Sequence, residues 1–183
     1  MMHDWQAARE AFATGLIAYP TEAVFGLGCD PREDVFLQQL LDLKQRPQEK
    51  GFILLAADYS QLLPFVDDNA IPQDKRFSVF SHWPGPVTLL LPARQSVSPL
   101  LRGQFDTIAC RVTAYEPARE LCRQLNSAIV STSANRHQQP SLTSFEAVKT
   151  EFNDELAWVM DDAVAGASSP STIINPLTGQ VVR

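Results

Sequence analysis

Apolar residues along this chain follow a helical period in some stretches and form short continuous runs in others. Trp5, Ala8 and Phe12 share one face of a helix predicted over residues 4–14, and Gly15 is its expected C-cap. The short apolar runs are bounded by proline, glycine or polar residues, which indicates buried strands.

The second helix is predicted from about Arg32 to Gln45. Asp30 is its expected N-cap, Pro31 suits its first position, and Pro47 ends it. Two overlapping sets of apolar positions offer a buried stripe: Val35, Phe36, Leu40 and Leu43, or Leu37 and Leu41.

The remaining elements alternate for most of the chain and end in antiparallel pairing. Strands are predicted at Leu16–Tyr19, Phe52–Ala57, Val87–Leu91, Thr107–Thr113, Ala128–Thr132 and Leu156–Met160, followed by a hairpin of Thr172–Asn175 and Gln180–Arg183. Further helices are predicted at residues 58–66, 72–81, Pro117–Leu125 and 143–152. The alternation predicts a single α/β domain over residues 1–183, an open twisted mixed sheet with helices on its faces. The pattern leaves the order of the strands open.

Length and composition fit an ordinary globular domain. The chain has 183 residues, of which 45% are hydrophobic and 20% are charged. No apolar run reaches the length of a membrane span, and the first residues lack the pattern of a secretory signal, so no membrane partner is expected. Cys29, Cys110 and Cys122 form no C-x-x-C pair, which predicts core positions and a reducing, cytoplasmic location.

Charge is unevenly distributed along the chain, although the net value is -6. Residues 140–183 hold two basic and six acidic side chains and so contribute -4, which leaves -2 for the first 139 residues. The negative net charge argues against a protein whose surface binds nucleic acid extensively. The first part can nevertheless carry a local basic patch.

Three cations lie close together in Lys44-Gln45-Arg46-Pro47-Gln48-Glu49-Lys50. They could complement the negative C-terminal end of a helix dipole, which accounts for Lys44 and Arg46 but poorly for Lys50. The alternative is a phosphate clamp, in which the planar fork of Arg46 suits phosphate oxygens.

Hydroxyl and amide groups cluster at Ser131-Thr132-Ser133-Ala134-Asn135, directly after the apolar run Ala128–Val130. Such groups at the end of a strand suit a ligand crevice at the carboxyl edge of a sheet. They suit a polar strand terminus with capping roles equally well.

The other candidate features decide little by themselves. Arg111, inside an apolar strand, needs an anionic partner, which can be a structural carboxylate or a ligand carboxylate. The Gly-x-Gly in Tyr19–Gly28 lacks the third glycine of a dinucleotide fingerprint and the ending of a P-loop. The three histidines show no metal-ligand spacing, and no Gly-x-Ser-x-Gly elbow occurs.

Four stretches in this order resemble the YrdC family, in its short bacterial form, from about residue 16 to residue 183. They are Tyr-Pro-Thr-Glu-Ala-Val-Phe-Gly-Leu-Gly, Leu-Lys-Gln-Arg-Pro, Trp-Pro-Gly-Pro-Val-Thr and Ser-Thr-Ser-Ala-Asn. The family signature, Lys-x-Arg and much later Ser-x-Asn, corresponds here to Lys44, Arg46, Ser133 and Asn135. Each motif alone is weak, whereas the ordered set is highly specific.

The resemblance implies a nucleotidyltransferase that condenses L-threonine, bicarbonate and ATP to threonylcarbamoyl-AMP and pyrophosphate. The product would serve threonylcarbamoyladenosine modification of tRNA next to the anticodon. The resemblance further implies a concave basic surface, magnesium held mainly by the ATP phosphates, and partner proteins of the TsaD, TsaB and TsaE type that transfer the group to tRNA. Weak binding of tRNA or double-stranded RNA is a further implication.

Site residues follow from the same resemblance, position by position. Catalysis would fall to Lys44, Arg46, Ser133 and Asn135, of which Ser133 and Asn135 are also candidate magnesium contacts. ATP would be bound by Lys44, Arg46, Lys50, Thr107, Ser133, Asn135, Ser141 and Arg183. Threonine would be bound by Thr21, Arg111, Ser131 and Ser171, with Arg111 meeting its carboxylate.

Two departures from longer family members stand out. Those members follow the cation motif with Asn-Pro-Leu and then a histidine near the amino acid, where this chain has Lys50-Gly51-Phe52 and Leu55. Longer members also carry a second domain, so we expect any cover over the site to come from this chain's own loops or from partners.

Two other functions fit the same residues. One is a binding module for structured RNA that uses the basic concavity, although the net charge of -6 argues against strong RNA binding. The other is a related domain that handles a different carbamoyl donor or acceptor.

Overall fold

A nine-stranded mixed sheet forms the centre of the computed structural model, which describes residues 2–183. The strands are β1 Ile17–Pro20, β2 Phe25–Gly28, β3 Ile53–Ala56, β4 Val87–Pro92, β5 Thr107–Val112, β6 Ile129–Ser133, β7 Trp158–Val159, β8 Thr172–Asn175 and β9 Gln180–Val181. The α-helices are α1 Trp5–Phe12, α2 Asp34–Lys44, α3 Arg76–Phe80, α4 Pro99–Arg102, α5 Glu116–Leu125 and α6 Phe145–Phe152.

The strands follow the order β7-β1-β2-β6-β3-β5-β4-β8-β9 across the sheet. The pairs β1–β7, β3–β5 and β4–β8 are parallel, and the other neighbours are antiparallel. The predicted mixed sheet is confirmed, as is the predicted hairpin of β8 and β9.

The two faces of the sheet pack against different helices. One face carries the larger core, which includes the buried leucines of α2 and side chains from β2, β3, β5 and β6. The other face packs against α1 and α5 and buries Tyr19, Leu55 and Ile129. Because side chains alternate along a strand, Ile53 and Ser131 lie on the face of Leu55 and Ile129. Ile53 and Ser131 line an open cleft beyond these helices.

Both predicted helix caps in the first part of the chain are wrong. The α1 helix ends at Phe12, and Ala13 takes the C-cap position in place of Gly15. The α2 helix begins at Asp34 with Glu33 as N-cap. Asp30 is not the N-cap because its carboxylate accepts from the backbone nitrogen and the guanidinium of Arg32.

The buried stripe of α2 combines the second predicted set with Leu40 from the first. Leu37 and Leu41 are buried, together with Leu40, whereas Val35 is 57% exposed. Phe36 and Leu43 pack at the edge of the core and are only partly buried.

Three further elements differ from the predicted pattern. Residues 58–66 form only a 3-10 turn at Tyr59–Leu62, since Pro64 cannot continue a helix. Strand β7 is limited to Trp158–Val159. Strand β2 and helix α4 were not predicted, and in β2 two glycines out of four residues weaken the strand signal.

The core positions expected for the three cysteines are borne out. The three cysteines are buried and unpaired. Within residues 2–183, no helix has both the length and the apolar character needed to cross a membrane.

Replacing Gly28 by alanine should destabilise the sheet. A Cβ there would lie 2.1 Å from the Val130 carbonyl oxygen and 3.0 Å from the ring of Tyr19, which is itself buried and donates to that carbonyl. We expect the free energy of unfolding to fall by at least about 2 kcal/mol, measured by urea denaturation.

Gly15→Ala is the matched control, because its Cβ would meet the Ala157 Cβ at an ordinary 3.5 Å. This variant should unfold within about 1 kcal/mol of the wild type. Equal midpoints for the two variants would contradict the proposed close approach at Gly28.

Candidate functional site

An open cleft of about 450 Å³ lies on the uncovered part of the face that α1 and α5 share. The β1–β2 turn, the start of β3, the ends of β5 and β6, and residues 167–171 form its walls. Eight of the predicted site residues line it: Thr21, Arg46, Arg111, Ser131, Ser133, Ser141, Ser171 and Arg183.

Four predicted site residues do not line this cleft: Lys44, Lys50, Thr107 and Asn135. Lys50 is exposed on the 3-10 turn Gln48–Lys50. Thr107 starts β5 opposite Pro92. Leu55, where longer relatives would have a histidine, is fully buried beneath the second helix layer and so offers no contact.

Arg46 follows α2 and reaches the cleft across the turn that Gln45 makes in the left-handed region. Its Nε and Nη2 both donate to the Gly51 carbonyl, at 3.0 and 2.9 Å. The guanidinium also lies 5.4 Å from the centroid of the Phe52 ring. Its Nη1 makes no hydrogen bond to residues 2–183 and is therefore available to a ligand.

Lys44 lies behind the cleft and holds one of its walls. Its buried ammonium donates to the carbonyl oxygens of Ser133 and Asn135, at 2.7 and 2.8 Å, and to Asn135 Oδ1 at 2.7 Å. Burial lowers the pKa of Lys44 to about 8, and the charge of Arg46 acts in the same direction. The three bonds use all three ammonium protons, so Lys44 fixes the end of β6 from behind.

Arg111 has a structural carboxylate as its partner. Its Nη1 lies 3.1 Å from Glu22 Oε2, and Glu22 Oε1 accepts from Thr113 Oγ1 at 2.8 Å. Arg111 nevertheless also lines the cleft, next to Glu22. The sequence allowed either a structural carboxylate or a ligand carboxylate as the partner of Arg111. The two are compatible, because one guanidinium can bind both.

A long loop between β7 and β8 forms the outer wall of the cleft. Backbone nitrogens of Ala165 and Ala167 donate to the carbonyls of Thr21 and Glu22, at 3.2 and 2.8 Å. The Tyr115 hydroxyl donates to the Ala163 carbonyl. The chain thus supplies a partial cover from its own loop.

Arg183 and Ser171 are joined at the far rim. Arg183 donates to the Ser171 carbonyl through Nε and Nη2, both at 3.2 Å, and Ser171 Oγ lies 2.8 Å from Thr88 Oγ1. Burial lowers the pKa of Arg46, and the positive charge of Arg183 does so too. The two cations therefore share one electrostatic environment.

Charge in the cleft is predominantly positive. The ionised side chains that line it are Arg46, Arg111 and Arg183 against Glu22 alone. This excess fits the basic concavity expected from the sequence and favours anionic ligands.

Donor groups for a resident metal ion are scarce around this site. No cluster of three histidine, cysteine or acidic side chains with metal-binding geometry occurs in the described part of the chain. Asn135 Oδ1 accepts from both Lys44 and Ser133, at 2.7 Å each. A cation 2.7 Å away disfavours a second cation, so Asn135 does not fit a metal-ligand role.

Sequence patterns missed two parts of the cleft. Glu22 and the loop residues Ala167–Pro170 line it, but none of them was a candidate. The position of Glu22 directly after Thr21, within the first of the four motifs, was the one local signal for the acid. No pattern in the sequence of the polar loop indicates that it forms a wall of the cleft.

The fold and the site together define an α/β protein with an arginine-lined cleft on the open part of its sheet. A model of the Sua5, YciO and YrdC family, described as telomere recombination, matches residues 12–183. An Idiomarina loihiensis protein named threonylcarbamoyl-AMP synthase is 64% identical over 184 residues, covering 100% of this chain and 98% of that protein.

Solved structures agree with this result. P. abyssi Sua5 complexed with L-threonine gives a TM-score of 0.83 at 29% identity and covers 96% of this chain. This chain spans about half of that Sua5 chain, 52%. E. coli YciO gives a TM-score of 0.78 at 25% identity, covering 98% of this chain and 87% of YciO.

The chain belongs to the Sua5/YciO/YrdC family, as its four ordered motifs predicted.

Lys44→Met should remove a pH-dependent contribution to stability. The pKa of about 8 in the folded protein lies below the ordinary lysine value, so the unfolded chain binds more protons between about pH 8 and 10. The free energy of unfolding of the wild type should therefore rise relative to the variant, by about 1 kcal/mol per pH unit in this window.

Urea denaturation across this pH range measures the difference. Lys50→Met, which removes an exposed lysine, should keep the pH profile of the wild type. Parallel profiles for the wild type and Lys44→Met would show that Lys44 keeps its ordinary pKa.

Proposed function

We propose that this chain is a threonylcarbamoyl-AMP synthase, which joins L-threonine, bicarbonate and ATP and releases pyrophosphate. The Idiomarina relative, 64% identical over the full length, carries that name. The product would then supply the threonylcarbamoyl group for modification of tRNA next to the anticodon.

The observation that carries the proposal is the convergence of Arg46, Arg111 and Ser133 on one cleft. These groups are distant in the sequence: Arg46 follows α2, Arg111 lies in β5, and Ser133 ends β6. A reaction between two anions requires that both substrates be held close together although they repel each other. A positively charged cleft lowers this electrostatic repulsion energy.

The chemistry requires little acid–base catalysis. The amine of threonine and bicarbonate form a carbamate, with loss of water. An oxygen of the carbamate attacks the α-phosphorus of ATP, the bond from this phosphorus to the β-bridging oxygen breaks, and pyrophosphate leaves. The nucleophile is already an anion, so the enzyme contributes mainly positioning and charge stabilisation.

Arg46 is the best-placed group for the phosphates. Its Nη1 is available, and its two other donors are fixed on the Gly51 carbonyl, so the guanidinium plane is oriented before ATP binds. Ser133, Ser141 and Arg183 line the same cleft and complete the proposed nucleotide side. Preorganised donors of this kind stabilise developing charge without reorganisation.

The threonine side of the proposal comprises Thr21, Arg111, Ser131 and Ser171, which all line the cleft. Arg111 would receive the carboxylate of threonine. Lys44 and Asn135 would act on the reaction by holding the end of β6, since their polar atoms bond to each other and to Ser133.

Magnesium would enter as part of the substrate, bound to the ATP phosphates. The bonds of Asn135 leave no oxygen of its amide for a metal, so the protein would neutralise phosphate charge with Arg46. Lys50 and Thr107, outside the cleft, would contribute only if ATP extends beyond its rim.

We propose proteins that transfer the threonylcarbamoyl group to tRNA as partners, and the cytoplasm as the location. Weak tRNA binding at the positive cleft is compatible with the three arginines that line it.

Arg46→Ala should lower pyrophosphate release by at least about a hundredfold, because a preorganised donor on the reacting phosphate is lost. Incubation with ATP, bicarbonate and threonine, followed by mass measurement of the threonine-containing adenylate, tests the proposal. The circular dichroism spectrum should stay that of the folded wild type.

Arg9→Ala provides a control, since the exposed side chain of Arg9 donates to Gln124 on the helix side, away from the cleft. It should turn over like the wild type. Unchanged turnover in Arg46→Ala would remove Arg46 from the site, and tRNA binding without ATP-dependent turnover in the wild type would refute the synthase.

A further inference from the structure

Two buried polar atoms beside the cleft make no hydrogen bond of good geometry to residues 2–183, although the first of them is ion-paired with Arg111. They are Glu22 Oε2 and Arg111 Nε, on side chains that are 19% and 10% exposed. Buried polar atoms in folded proteins are nearly always hydrogen-bonded. Both residues line the cleft, so a small shift of their side chains would let a bound ligand reach these atoms and supply the missing hydrogen bonds.

The carboxylate of Glu22 is held in a fixed orientation. Its Oε1 accepts from Thr113 Oγ1 at 2.8 Å, and Thr113 is fully buried. Its Oε2 lies 3.1 Å from Arg111 Nη1. The backbone carbonyl of Glu22 accepts from Ala167 at 2.8 Å, which fixes the turn as well. One carboxylate oxygen is thus hydrogen-bonded to Thr113, and the other is ion-paired with Arg111 and makes no hydrogen bond of good geometry to residues 2–183.

We propose that Glu22 Oε2 accepts a hydrogen bond from the nitrogen of the amino-acid substrate. The inference rests on the proposed function. A guanidinium beside a carboxylate is complementary to an α-amino acid, whose carboxylate and nitrogen are attached to the same carbon. Arg111 would take the carboxylate and Glu22 the nitrogen.

This contact holds for both forms of the substrate. The nitrogen carries N–H groups as an ammonium ion, and it keeps one N–H after the carbamate has formed. The carboxylate of Glu22 repels the negative carbamate oxygens, which therefore turn away from it toward the arginines of the cleft. Glu22 would thus be a specificity-determining residue that also orients the nucleophile.

Glu22→Gln tests the contact with almost no change in volume. The amide oxygen can keep the bond to Thr113. The NH2 group then takes the place of Oε2, next to Arg111 and facing the substrate nitrogen, where it meets donors and no acceptor. We expect the affinity for L-threonine, measured by calorimetry, to fall by about tenfold or more. The affinity for ATP should change by less than about threefold.

A deaminated ligand separates this contact from a merely structural role. (R)-3-Hydroxybutanoate has hydrogen where threonine has its amine, so it cannot donate to Glu22. In Glu22→Gln, the affinity for threonine should fall by at least about tenfold more than the affinity for this analogue. Equal weakening of the two ligands would overturn the inference, because a damaged cleft affects both.

Two further variants complete the experiment. Glu33→Gln, at an exposed helix start without a side-chain cap bond, should bind both ligands like the wild type. If Glu22→Gln fails to fold, Glu22→Asp keeps the negative charge beside Arg111 but withdraws the oxygen. Glu22→Asp should show the same selective loss of affinity for threonine. Equal affinity losses for threonine and the analogue in this variant would overturn the inference.

The inference and the proposed function can fail separately. A wild type that prefers threonine over the deaminated analogue but releases no pyrophosphate would refute the synthase and retain the Glu22 contact. If the wild type converts its substrates, and the Glu22 variants lose affinity for threonine and for the analogue equally, only the Glu22 contact would be refuted.

Discussion

The buried ammonium of Lys44 is the interaction on which the geometry of the cleft depends. It joins the last residue of α2 to the end of β6 through three bonds of 2.7 to 2.8 Å. Arg46 follows that helix, and Ser133 ends that strand, so this one group sets the distance between the cationic and the hydroxyl sides. A buried charge without partners is costly, which explains why all its protons are used.

A second constraint comes from the alternation of side chains along β3 and β6. The same face that buries Leu55 and Ile129 presents Ile53 and Ser131 two residues away. Helices α1 and α5 cover only part of this face, so the polar residues of β6 need no buried partners of their own. The hydrophobic core and the cleft are therefore two parts of one surface.

Short-range patterns predicted most strands and the second helix, and the resemblance to the YrdC family supplied eight of the residues that line the cleft. They failed where the deciding contact is distant in sequence. Glu22 and Thr113 are 91 positions apart, and Lys44 and Ser133 are 89 apart, so neither bond has a local signal. Strand β2 was missed for a related reason. Its glycines make room for the ring of Tyr19, which only the folded sheet places there.

The outer wall of the cleft is attached to the floor mainly by backbone hydrogen bonds at Thr21 and Glu22, and residues 167–170 are exposed. Segments with few buried contacts open at low free-energy cost, while the sheet beneath stays folded. The rate at which a bound adenylate escapes to water, or to an acceptor protein, would then be governed by a peptide segment that takes no part in bond making. Sequence changes in this loop could tune the lifetime of the intermediate independently of the rate of its synthesis.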